Sequence, residues 1–173
     1  MAIRDICQLG NDVIRATAEA VAFPLSEAHQ QLITDLVDTM RSDNVIGLAA
    51  PQVGESVRIL VTEIRPTEFR QRATEPLKVF INPQITSFSE ETEVGYEGCG
   101  SVAETRLFGE VERAKTVDVS WFDEHGTPQT GTFSGLMARL VQHEYDHLDG
   151  IVFTDKLYTT KTLMSSVEYK KLA

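Results

Sequence analysis

The stretch "SGLMARLVQHEYDHLDG", Ser134 to Gly150, governs how the rest of the chain is read. Leu136, Leu140, Val141, Glu144 and His147 recur at the three- and four-residue steps of an amphipathic helix. Gly150 stands where a left-handed residue would end that helix. Inside it His143, Glu144 and His147 spell H-E-x-x-H. Helix positions four apart differ by about 40° in azimuth and ~6 Å in height, so both imidazoles can aim at one point, with Glu144 about 100° round. Two nitrogens can then hold a divalent ion while the carboxylate takes a proton from water. The bland reading is a polar helix end, with two histidines favouring the negative pole of the dipole. Asp146 and Asp149 read either as surface charges or, for Asp146, as a group orienting a ligand histidine.

Upstream, "PLSEAHQQLITDLVDTMRSDN" carries apolar residues at Leu25, Leu32, Ile33, Leu36, Val37 and Met40. The spacing predicts a helix over Glu27 to Ser42 with Ser26 as its N-cap. From "VRILVTEI" through "LKVFINPQIT" the pattern becomes short β-branched runs separated by proline and polar turns. "KTVDVSWFD" alternates, and "EHGT" reads as a hairpin turn into "PQTGTFS". Helix, antiparallel strands, then a second helix make an α+β arrangement rather than regular βαβ alternation.

Two more stretches bear on chemistry. In "YEGCGSVAE", Tyr96 to Glu104, Cys99 lies between glycines that let the backbone turn tightly and approach a bound group. One thiolate and two imidazoles would leave a fourth tetrahedral position for water, and the Gly100 N–H would be available to a developing oxyanion. By itself the stretch reads equally as an ordinary loop. In "VIGLAAPQVG", Val45 to Gly54, Gly47, Ala49 and Ala50 permit close packing and Pro51 fixes the backbone before Gln52. Gln52 can then present its amide as a donor, or the stretch is simply a tight loop between helix and strand.

At 173 residues with 42% hydrophobic and 24% charged, the chain has the balance of one soluble folded domain, 1–173, rather than a disordered segment. No repeat or Gly/Ser linker divides it. A net charge of −10 speaks against direct nucleic-acid recognition, although a local basic patch near a ribosome stays compatible with it. No apolar run approaches a membrane span. The opening "MAIRDICQLG" lacks an export pattern, and two cysteines are too few for a disulfide framework. A reducing, cytoplasmic setting with free thiols is expected. No exposed heptad or apolar stripe calls for a partner, so a monomer is expected.

"GLAAPQVG", "EGCGS" and "QHEYDHLDG", in this order and at these separations, resemble the three signature motifs of the peptide deformylases. "GNDVIR", "VFINPQI" and "GLMARLVQ" extend the resemblance over about Leu9 to Leu157. A peptidase sharing only H-E-x-x-H would lack the other two motifs. The resemblance implies antiparallel β-sheets packed around a central C-terminal helix bearing H-E-x-x-H, with an N-terminal helix. It implies removal of the formyl group from N-formylmethionyl nascent peptides near the ribosome exit region, in a bacterial cytoplasm rather than an organelle.

Carried over by motif, Cys99, His143 and His147 bind the metal, Glu144 is general base and then acid, and Gln52 with the Gly100 N–H holds the oxyanion. The metal so implied is typically Fe(II), with zinc, nickel or cobalt as substitutes; ligand chemistry alone would suggest zinc at least as strongly. Ile46, Leu136 and Leu140 are the implied methionine pocket, and Gly47 offers backbone to the substrate in a strand-like pairing. Arg106 matches a position where many members carry arginine, and would either pair with Glu97 or another carboxylate by the site or form a surface salt bridge. The chain departs from the common pattern at Val45, where glycine is usual, and at Gly100, where leucine is usual. "SVAE" and "EVER" further set the loop after Cys99 apart from the main bacterial branch.

Overall fold

A computed structural model describes residues 2–67 and 74–172. Helix α1 spans Glu27–Ser42, and the Ser26 hydroxyl accepts from the His29 N–H at 3.2 Å. Both its bounds and its cap are those read from the sequence. Strands β1 (Gly47–Ala49), β2 (Ile59–Ile64), β3 (Glu75–Phe88), β6 (Thr116–Phe122) and β7 (Pro128–Ser134) form one antiparallel sheet in the order β1-β2-β3-β6-β7. Strands β4 (Thr92–Gly98), β5 (Leu107–Ala114) and the two-residue β8 (Met164–Ser165) form a second antiparallel sheet. Helix α2 covers Gly135–Leu148, and a single turn, α3, Ser166–Tyr169, follows β8. The architecture is α+β with antiparallel sheets and few helices.

Strand β2 shows why "ILVTEI" is nearly continuous in apolar residues rather than alternating. Ile59 and Val61 join the cluster on the α1 side, with Leu36, Val37 and Met40. Leu60 and Ile64 join the cluster on the α2 side, with Phe80, Leu140, Val141 and Leu148. Buried on both faces, the strand has no use for polar alternation. Each such large side chain, taken wholly out of water, contributes roughly 1.5–3 kcal/mol.

One expectation fails here. The proline in "LKVFINPQIT" does not separate two runs: β3 continues through Pro83. The pairing with β6 shifts register between Ile81 and Gln84, so Pro83 falls in a bulge where no ladder N–H is required. Asn82, at φ +49°, stabilises the bulge by bonding both N–H and C=O of Val21 through its side chain, each at 2.8 Å.

Helix α2 contacts β1, β2, β6 and β7 of the larger sheet and β5 of the smaller one. With neighbours on both sides it buries polar residues too, among them Gln142, His143, Glu144, Asp146 and His147. It ends as expected. Gly150, at φ +72°, donates to His147 O at 3.3 Å, and Ile151 N–H reaches Asp146 O at 2.9 Å, the paired bonds of a Schellman ending. Among the described residues no helix is long and apolar enough to cross a membrane.

Candidate metal centre

The three motifs meet. Cys99 directly follows β4 at the head of a turn, and His143 and His147 face it from consecutive turns of α2; their ligand atoms all lie within 4.8 Å of one another, and all three residues are buried. Cys99 Sγ is 3.2 Å from His147 Nε2. His143 Nδ1 lies 2.8 Å from Glu97 Oε2, so it carries the proton toward that carboxylate and leaves Nε2 as the free lone pair. One sulfur and two imidazole nitrogens converging in this way fit a soft or borderline divalent cation with an open position.

Charge balance supports the same fit. Burial alone would raise the Cys99 thiol; the charge of His147 and hydrogen bonds from both histidines outweigh it and hold the thiol well below its ordinary value. Burial alone would lower His143, yet bonds to Cys99 and Glu97 hold it well above its ordinary value. The site thus favours the thiolate, the form in which a cysteine binds a cation. Glu144 is 3% exposed and its Oε2 has no hydrogen-bond partner among the described residues. Burial pushes its carboxyl up to about 7, and a cation nearby would draw it down again.

Gln52 sits in the 3₁₀ turn Ala50–Val53 after β1, with Pro51 presetting its backbone. Its Oε1 accepts the Ala49 N–H at 2.8 Å. That fixes the amide's sense, so Nε2 faces the site, 3.5 Å from Cys99 Sγ and 3.4 Å from Ser101 Oγ. A cavity of about 130 Å³ opens beside these groups, large enough for a methionine-sized side chain. Ile46, Gly47, Leu136 and Leu140 line it, as do Gln52, Cys99, Gly100, His143 and Glu144. His147 lies behind them at 1% exposure.

Gly47 is required by close approach. A Cβ there would stand 2.4 Å from Glu144 Oε1 and 2.7 Å from Leu140 Cδ1. Gly47→Ala is therefore expected to displace the Glu144 carboxylate and cut kcat/KM by about 10²-fold while the circular-dichroism spectrum stays native. A native rate in that variant would mean Glu144 has room to move without consequence.

The structure decides two alternatives that the sequence leaves open. Arg106 does not reach Glu97; it pairs with Glu104 on the surface at 2.9 Å. Asp146 orients no histidine; it accepts from Arg113 at 2.5 Å and Lys156 at 2.7 Å. The group that orients His143 is Glu97, which also accepts from Arg113 Nε and Nη2 at 2.9 and 3.0 Å and from Arg139 Nη1 at 2.9 Å. Burial would raise Glu97, but His143 and Arg113 hold it far below the usual carboxylate range. Arg113, penalised by burial, is nevertheless held above its ordinary value by Glu97 and Asp146.

Three aromatic residues were also missed. Tyr96, Phe108 and Tyr169 line the cavity. Phe108 and Tyr169 stack at 4.1 Å between centroids and 7° between planes. The Phe108 ring lies where a Cβ on Gly98 would be, at 2.7 Å, which accounts for that glycine beside Cys99. Tyr169 arrives from α3, beyond every motif, and no local pattern in the sequence announces it.

Similarity to known proteins agrees with this geometry. The sequence model of the family described as polypeptide deformylase matches residues 3–162. A peptide deformylase of Synechocystis sp. is 39% identical over 160 residues, covering 92% of this chain and 82% of that protein. One from Pseudothermotoga lettingae is 42% identical over 159 residues, covering 92% of this chain and 85% of the relative. A Met-Ala-Ser-bound crystal structure of a class I type b peptide deformylase from Acinetobacter baumannii superposes with a TM-score of 0.85 at 34% identity, covering 90% of this chain and 99% of that one.

Proposed function

The chain belongs to the polypeptide deformylase family, and we propose that Cys99, His143 and His147 hold its catalytic metal while Glu144 carries the proton. It is a hydrolase that removes the formyl group from the N-terminal formyl-methionine of newly synthesised polypeptides and releases formate. The observation that carries the site assignment is the convergence of one thiol and two imidazoles within 4.8 Å, beside a buried carboxylate oxygen that has no partner among the described residues.

A divalent cation at those ligands supplies Lewis acidity toward the formyl oxygen and makes water a stronger acid. The chain's own residues divide the rest. Glu144 takes a proton from water and returns it to the departing amine. Gln52, its oxygen tethered by the Ala49 N–H, offers Nε2 to the oxygen of the tetrahedral intermediate, together with the Gly100 N–H. Ile46, Leu136 and Leu140 enclose the methionine side chain, and the Gly47 backbone lies alongside the peptide. Glu97 holds the His143 ring at the angle the ligand set needs.

We take Fe(II) as the resident ion, on the strength of the family pattern; zinc, nickel or cobalt suit the same donors. The reading also takes 1–173 as one catalytic domain with α2 as its central element. A cytoplasmic monomer meeting chains at the ribosome exit is the matching setting, since formylated N-termini exist on newly made chains. Formate release from formyl-Met-Ala peptides by anaerobically purified protein tests the activity, and metal analysis identifies the ion. Cys99→Ala is expected to abolish stoichiometric metal binding. Full metal retention in that variant would exclude the ligand set.

A further inference from the structure

Gln8, which no motif includes, holds both ends of the turn after Cys99 with one side-chain amide. Its Nε2 donates to Gly100 O at 2.8 Å, and its Oε1 accepts the Glu104 N–H at 3.1 Å. The backbone around it joins the same junction. Cys7 N–H donates to Gln52 O at 2.8 Å, and Leu9 N–H donates to Ser101 O at 2.7 Å. The segment 6–9 thus bonds the loops bearing Gln52 and Gly100, 48 positions apart in sequence.

The turn it secures is one that needs securing. Ala103, Glu104 and Thr105 stand at φ +49°, +52° and +60°, three successive non-glycine residues in the left-handed region. Cys99 O accepts from both Val102 N–H at 3.1 Å and Thr105 N–H at 3.2 Å, so any relaxation of the turn is felt at the residue that carries the thiol. Gly100 adds freedom at the same place, having no side chain to wedge it. Ile6 takes up that space instead: its Cδ1 lies 3.1 Å from where a Cβ on residue 100 would be.

We propose that Gln8 is a positioning residue for hydrolysis, its amide clamping Gly100 O and Glu104 N–H so that the Gly100 N–H and the Gln52 amide converge on one oxygen of the reacting formyl group. This rests on the reading of Gln52 and Gly100 as oxyanion donors. Ile46, Leu136 and Leu140, the apolar side of the cavity, lie outside the clamped turn, whereas the Gly100 N–H that would face the intermediate lies within it. Loss of the clamp therefore appears in kcat and leaves KM in place.

Gln8→Leu removes both bonds. Gln8→Glu has the same shape and keeps the acceptor for Glu104, but sets a carboxylate oxygen against Gly100 O. With metal-loaded protein and formyl-Met-Ala peptides, both variants are expected to lower kcat by about tenfold or more, with KM within about twofold. Metal content and thermal midpoint in Gln8→Glu stay at wild-type values. The proposal is overturned by unchanged kcat in Gln8→Glu, or by kcat and KM moving together with a fall in thermal midpoint. Gln52→Leu, assayed alongside, separates the two assignments. If it loses kcat while the Gln8 variants do not, the clamp alone is wrong; if it keeps kcat, the oxyanion assignment fails and takes the clamp with it.

Discussion

Glu144→Gln keeps the metal content of the purified protein and lowers formate release by about 10²–10⁴-fold. Metal content survives because Glu144 is not among the three convergent ligands, and because the amide is the same size as the carboxylate in a buried position. Activity falls because, among the described residues lining the cavity, no other carboxylate is free to take the proton. Glu97 is the one other acid lining the cavity among the described residues, and its two oxygens already accept from Arg113, Arg139 and His143. Held far below the usual carboxylate range, Glu97 is a poor base. Glu144 is the opposite case, a carboxyl that burial raises toward neutrality and whose Oε2 has no partner among the described residues. Metal analysis and a formate assay on the same preparation check both halves. A near-normal rate would hand the proton to a group outside this site.

What the sequence disclosed follows from the range of the forces involved. Helix α1 with its Ser26 cap and α2 with its Gly150 ending are set by residues within a turn of each other, and a local pattern records them. The convergence of Cys99, His143 and His147 was legible for the same reason in part: His143 and His147 are four apart, and the family pattern supplied Cys99. The partners of that trio were not legible. Glu97 meets Arg113 only because β4 and β5 pair in one register, with Glu97 opposite Gly109 and Glu93 opposite Arg113. It meets Arg139 because Gly95, between Glu93 and Glu97 on the same face of β4, leaves room that the guanidinium fills at 3.0 Å. A pairing of Arg106 with Glu97 would respect distance along the chain and ignore this register, and Arg106 instead meets Glu104 on the surface. Pro83 misled for a related reason, since a bulge answered by Asn82 and Val21 is a long-range feature.

Arg113→Met is expected to be the most destabilising single change near the site. Arg113 is 3% exposed and spans Glu97 and Asp146, which are 4% and 9% exposed at their side chains. Methionine replaces most of the buried volume, so the cost reported is electrostatic rather than that of a cavity. Removing one partner from a buried ionic group leaves uncompensated charge and costs about 3–5 kcal/mol, which urea unfolding of metal-free protein would measure. The metal site should loosen as well. Glu97 fixes the His143 ring, and disturbing such a support lowers metal affinity by about 10–100-fold. The two effects separate in the double variant Arg113→Met with Glu97→Gln. Neutralising Glu97 removes the stranded charge and restores part of the stability, but an amide beside His143 Nδ1 is a weaker support than a carboxylate, so metal affinity stays low. An Arg113→Met protein as stable as wild type would show that Lys156 and Arg139 suffice to balance these acids, and that the arginine between them only fills space.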